Sequence, residues 1–188
     1  MTFKTLILCL LSLLFLGCQP SDDPGLDGPS PTSTPIKSAH KGEPSPKFNL
    51  TAPDGSTVTF NPSDNPDNEA FLLVFWSQQW DPNARTLLDR VEELHERYAP
   101  RGLTVIAVSY DDEPSGLRKY LNANPLPFEV AVGAASTLSD FQVTSIPTAI
   151  LVDSNGRIVE RWSGYYSTEE WAEAISPHLP GRTGNSEK

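Results

Sequence analysis

Apolar residues in this chain fall into three kinds of pattern, and each predicts a different element. Two runs are unbroken: Ala70 to Trp76 and Leu103 to Val108. Their length and flanks predict strands buried on both faces, because a half-solvated strand alternates and a buried one does not. A second kind repeats at helical spacing. Ala84, Leu87, Leu88, Val91, Leu94 and Tyr98 recur with charged residues between them, before Pro100 and Gly102, predicting an amphipathic helix and its stop. Asp81-Pro82 predicts the start of that helix, a capping acid with proline at the first helical position. The third kind is short and bounded by turn formers. Phe48-Asn49-Leu50 and Thr57 to Phe60 flank Pro53-Asp54-Gly55-Ser56, and Thr148 to Val152 and Arg157 to Arg161 flank Ser154-Asn155-Gly156. Both predict hairpins, the second on the positive φ angles that Asn-Gly supplies.

Smaller elements complete the order. Asp111, Asp112 and Pro114 open a short helix with Leu117, Tyr120 and Leu121 on its apolar face. Phe128 to Val132 predicts a strand and Thr137 to Phe141 a helical turn. The last helix opens on Ser167-Thr168-Glu169-Glu170, a capping box, with Trp171, Ala174, Ile175 and Leu179 facing inward. Strands alternating with helices predict an α/β fold, a central mixed β-sheet flanked by helices with an N-terminal β-hairpin extension.

Before this domain the pattern changes twice. Leu6 to Leu16 is almost wholly apolar and follows a lone Lys4; it is shorter than the ~20 residues that span a bilayer and suits a cleaved secretory signal. It ends in Leu14-Phe15-Leu16-Gly17-Cys18, which resembles the lipobox of bacterial lipoproteins. That resemblance implies cleavage after residue 17 and lipidation of Cys18; an ordinary signal cut elsewhere and an uncleaved anchor are the alternatives. Gln19 stands where an aspartate would signal inner-membrane retention, so a Gram-negative source would favour the outer membrane. Gln19 to Pro46 then holds seven prolines, five serines and three glycines and no aromatic residue. Such a stretch cannot bury enough apolar surface to offset its ordering entropy. The expected organisation is signal peptide 1–17, lipid-anchor cysteine and tether 18–46, domain 47–180 and tail 181–188.

Composition narrows the function. The chain has 188 residues, 38% apolar, with net charge −10 and pI near 4.6. Loss of Lys4 with the leader leaves 13 basic against 24 acidic side chains, a net −11. Nucleic-acid binders need a basic face, so nucleic acid is excluded as a partner. Cys9 and Cys18 are the two cysteines of the chain; with Cys9 removed and Cys18 a thioether, the mature chain has no free thiol. His40, His95 and His178 are scattered along the sequence, so no metal ligand set is expected and no cofactor is implied. Ser77 has no histidine close in sequence to act as its base.

With Trp76, Pro82 and Ser145-Ile146-Pro147-Thr148 in place, Lys47 to Leu179 resembles the TlpA/ResA-like branch of the thioredoxin superfamily. Those are membrane-tethered, extracytoplasmic thiol–disulfide oxidoreductases. Ile146-Pro147-Thr148 followed by Leu151-Val152-Asp153-Ser154-Asn155-Gly156 is the most specific part. The resemblance implies a cis Pro147 beside the active-site mouth, a location facing the periplasm or the extracellular side, and extended protein segments or periplasmic proteins as partners. Three positions depart from it. The family's Trp-Cys-x-Pro-Cys is here Gln79-Trp80-Asp81-Pro82-Asn83; the buried acid of thioredoxins proper is Val74; the acid and proline after the second cysteine are replaced by Leu87-Leu88-Asp89. Trp80 and Asn83 cannot form the thiolate that exchange chemistry requires. The expected function is therefore a lipid-anchored binding or scaffold module with Trp76, Trp80, Pro82, Ile146 and Pro147 as its groove. The alternative is the oxidoreductase activity that family membership alone implies, and a third is a folded stub without a partner.

Overall fold

The computed structural model describes residues 40–64, 70–111 and 113–180. The expected signal peptide, the anchor at Cys18, the tether as far as residue 39 and the tail from 181 lie outside the described residues. The first hairpin pairs β1 (Phe48–Thr51) with β2 (Thr57–Phe60). Next come β3 (Ala70–Trp76), α1 (Ala84–Tyr98) and β4 (Leu103–Ser109). They lead to α2 (Pro114–Ala123), β5 (Glu129–Val132) and α3 (Ala135–Asp140). A second hairpin, β6 (Thr148–Asp153) with β7 (Ile158–Ser163), precedes α4 (Thr168–Ile175). Among the described residues these strands form one mixed sheet in the order β2-β1-β5-β4-β3-β6-β7. β3, β4 and β5 run parallel, while β6 is antiparallel to β3.

Strand alternation divides the core. In β3 the side chains of Ala70, Leu72, Val74 and Trp76 join a cluster with Leu87, Leu88, Val91 and Leu94 of α1, Leu117 of α2 and Trp171 and Ile175 of α4. Phe71, Leu73 and Phe75 point the other way, into a cluster with Phe48, Phe60 and Phe141. Period-two geometry sends neighbouring side chains to opposite faces, so a strand apolar at every position is covered on both. All seven residues of β3 are buried. Three of the four helices thus cover one face, and α3 with its aromatic end covers the other.

Two boundaries differ from the sequence expectation. Residues 42–46, assigned by composition to the tether, belong to the folded body: Gly42 N–H donates to Ile158 O at 2.7 Å, Ser45 N–H to Gly156 O at 2.8 Å, and Ser45 and Pro46 are buried. Backbone pairing along β7 needs no apolar side chain, so composition cannot register it. The β6–β7 hairpin does not use positive φ at both Asn155 and Gly156. Gly156 alone has it, φ 72°, while the Asp153 carboxylate accepts the N–H groups of Asn155 at 3.0 Å and Arg157 at 2.8 Å. An Asx turn with one left-handed glycine makes the reversal. The capping box at Ser167 forms as its spacing predicts, with Glu170 the reciprocal partner. No helix among the described residues is long and apolar enough to cross a membrane.

Candidate functional site

Parallel strands leave a crevice beyond their C-terminal ends, where the following loops diverge. Here β3 ends at Trp76, β4 at Ser109, and the segment before β6 arrives beside the end of β3, on the side away from β4. The loop from Ser77 to Asn83 must leave the sheet and start α1 without exposing its N–H groups to an apolar interior. Asp111 solves this. Its buried carboxylate accepts Ser77 Oγ–H and Gln79 N–H on one oxygen, both at 2.7 Å, and Ser109 Oγ–H at 2.7 Å and Gln78 N–H at 3.2 Å on the other. Ser77 Oγ in turn accepts Trp80 N–H at 3.1 Å. Ser77 is fully buried, and its hydroxyl belongs to this network.

The position that the resemblance aligns with the first cysteine then turns outward. Trp80 is 57% exposed, and it lines a pocket of about 160 Å³ with Tyr110, Leu138, Val143, Thr144, Ser145 and Ile146. Tyr110 packs on Phe75, with ring centroids 6.3 Å apart, and burial raises its phenol above the ordinary tyrosine value. The Ile146–Pro147 bond is cis, as the resemblance implied. Pro147 is buried and its carbonyl accepts Gly164 N–H at 2.8 Å, while Ile146 is half-buried. Thr148 Oγ1 donates to Ser145 O at 2.6 Å. The N–H groups of Thr144, Ser145 and Ile146 carry no hydrogen bond among the described residues.

Asp81 does not take the capping position that the spacing predicted, because the helix starts two residues later. Helix α1 begins at Ala84, and the residue before it, Asn83, makes no side-chain cap. The Asp81 carboxylate instead accepts Asn83 N–H at 2.9 Å and the Tyr165 hydroxyl on one oxygen, and its second oxygen is buried without a hydrogen-bond partner among the described residues. It braces the turn into the helix rather than capping the helix itself. Burial and the bond to Asp81 push the Tyr165 phenol up to about 12.

Of the expected groove residues, the structure brings Trp80 and Ile146 together at one pocket, with Pro147 buried behind Ile146. Pro82 and Asn83 are exposed at the helix start. Trp76 is a correction: it is 0% exposed and packs on Tyr120 with centroids 6.0 Å apart, so it underlies the site and offers no contact surface. Its place at the end of an all-buried strand explains this. Sequence reasoning missed Asp111, Tyr110 and Tyr165 as site residues. Asp111 was assigned to the opening of α2, but its carboxylate turns back to the loop after β3. The available signal was an acid just beyond a buried parallel strand beside the site. Among the described residues no three His, Cys, Asp or Glu side chains are grouped to hold a metal ion. His95 lies against Phe128, edge to face at 5.8 Å.

Known proteins share this fold. The sequence pattern of the AhpC/TSA family matches residues 41–161. The chain is 24% identical over 130 residues to the thiol-disulfide oxidoreductase ResA of Bacillus anthracis, covering 69% of this chain and 73% of that protein. To the thiol:disulfide interchange protein DsbE of Yersinia pestis it is 28% identical over 153 residues, covering 80% of this chain and 78% of the other. A solved structure of a candidate thiol:disulfide interchange protein DsbE from Chlorobium tepidum superposes with a TM-score of 0.67 at 25% identity, covering 75% of this chain and 99% of that one. The fold is thioredoxin-like.

Proposed function

The chain belongs to the AhpC/TSA family, and on that premise we propose that it is an envelope-tethered thioredoxin-fold protein that binds extended protein segments and performs no dithiol chemistry. The carrying observation is Trp80: where the first cysteine of the resembled motif would stand, a largely exposed indole borders an apolar pocket beside Ile146 and the cis proline. An extended segment pairs with the unbonded N–H groups of Thr144 to Ile146, the main-chain recognition of strand addition. An apolar side chain of the partner enters the pocket, and Trp80 packs over it as a rigid anchor. None of this requires sulfur. Lipidated Cys18 and the stretch beyond it hold the domain at the outer face of a membrane, outer rather than inner if the source is Gram-negative.

The names of the ResA and DsbE relatives favour a second reading, thiol–disulfide exchange. Exchange proceeds through a thiolate, and positions 80 and 83 hold tryptophan and asparagine. The two readings separate in an insulin-reduction assay on the protein lacking its first 18 residues, with dithiothreitol as reductant. Turnover at the reagent background is expected; turnover above it establishes the oxidoreductase reading instead. Binding is tested by co-purification from envelopes with the native anchor. The wild type retains a partner that Trp80→Ala releases, and identical capture by both proteins defeats the binding reading.

A further inference from the structure

A carboxylate taken out of water is costly unless its oxygens are met by donors. Asp111, 9% exposed, is met by four: Ser77 Oγ–H and Gln79 N–H at 2.7 Å each, Ser109 Oγ–H at 2.7 Å and Gln78 N–H at 3.2 Å. Ser77 Oγ passes the connection on to Trp80 N–H at 3.1 Å and also accepts Gln79 N–H at 3.2 Å. Three consecutive backbone N–H groups, of residues 78, 79 and 80, therefore converge on one acid and its hydroxyl relay. Charge-assisted bonds of this kind are about twice as strong as neutral ones.

From this convergence we infer that Asp111 is the positioning residue of the binding site, setting the direction in which Trp80 leaves the loop and thereby governing partner recognition. The inference rests on the binding reading above. Asp111 does not line the Trp80 pocket; it acts through the backbone of Gln78 to Trp80. An acid is required there. All four neighbours donate to it, two to each oxygen, and an amide in its place turns an NH₂ toward two of them.

Asp111→Asn, made in the full chain, tests this through amide hydrogen exchange read residue by residue and iodide quenching of tryptophan fluorescence. Trp80 is the indole that iodide reaches, since Trp76, Trp162 and Trp171 are buried. Exchange at Gln78, Gln79 and Trp80 is expected to accelerate about tenfold or more, with altered quenching and unchanged rates in β3 and β4. Unchanged rates at the three loop amides overturn the inference. So does equal acceleration across the strands, which assigns Asp111 to general stability. Should the Asn variant not fold, Ser77→Ala removes the relay alone. Acceleration at Trp80 that spares the strands then supports the inference, and an unaltered Trp80 rate overturns it. Neither measurement uses a partner, so failure here leaves the capture result standing, and loss of the capture result leaves the clamp standing.

Discussion

Two tryptophans four positions apart should respond oppositely to truncation. Trp76 is 0% exposed and Trp80 57%. Trp76 sits in the larger core cluster among Leu72, Leu87 and Leu117, and its indole N–H has no hydrogen-bond partner among the described residues. Removing the side chain therefore sacrifices packing and no hydrogen bond. Emptying a fully buried tryptophan site costs about 3–5 kcal/mol. At about 3–4 °C per kcal/mol for a domain of this size, Trp76→Ala lowers Tm by roughly 9–20 °C. Trp80→Ala removes mostly solvated surface and changes stability by about 0.5 kcal/mol or less, a Tm shift of about 2 °C. Thermal unfolding followed by far-ultraviolet circular dichroism measures both. Trp76→Phe, with an expected loss of about 1–2 kcal/mol, covers the case in which the alanine variant does not fold. Iodide quenching supplies the complement: Trp80→Ala abolishes most of the quenchable fluorescence, whereas Trp76→Phe leaves it in place. Equal destabilisation by the two alanine variants, or quenching that survives loss of Trp80, refutes the division into a buried support and an exposed anchor.

Three further outcomes test other parts of the site. An added Cβ at Gly133 would lie 2.4 Å from the Tyr110 ring, so Gly133→Ala should displace that ring from the Trp80 pocket and cost about 1–3 kcal/mol; a urea midpoint equal to wild type would show that the ring is free to move. Burial and Asp81 raise the Tyr165 phenol to about 12, above its unfolded value near 10. The neutral phenol is thus favoured by the fold, a contribution complete below about pH 10 and lost as pH rises toward 12. Tyr165→Phe should remove one phenolate transition near pH 12 from the absorbance titration at 295 nm, and removal of one near pH 10 would contradict the Asp81 contact. Finally, Trp80→Cys with Asn83→Cys should give a domain that forms an internal disulfide under air oxidation, read by thiol counting; a double variant that stays fully reduced would place the two positions wrongly at the start of α1.

Much of the architecture was legible because it repeats along the chain. The seven apolar residues of β3, the six inward positions of α1 and the Ser167 capping box are local signals, and the structure carries each at the predicted place. The cis Pro147 and the thioredoxin-like fold came through resemblance carried by a few motif residues. Less was legible where one residue serves two segments. Asp111 lies next to a helix start in sequence and was assigned there, yet its carboxylate bonds to residues 77–79, more than thirty positions away. Tyr165 reaches Asp81 across an even longer separation.

Trp76 and Trp80 show the same limit from the other side. The resemblance placed both at the expected groove, but which was exposed depended on which face of α1, α2 and α4 closed over the strand end. Periodicity, caps and turn residues act within a few positions, so their physics is complete in the linear chain. Burial of a given side chain, and the partner of a given carboxylate, come into being only when distant segments pack, and packing depends on all of them at once. The absence of sulfur at positions 80 and 83 was therefore decided by the amino-acid order alone, while the acid that holds the loop and the indole that faces outward were decided by the assembled sheet.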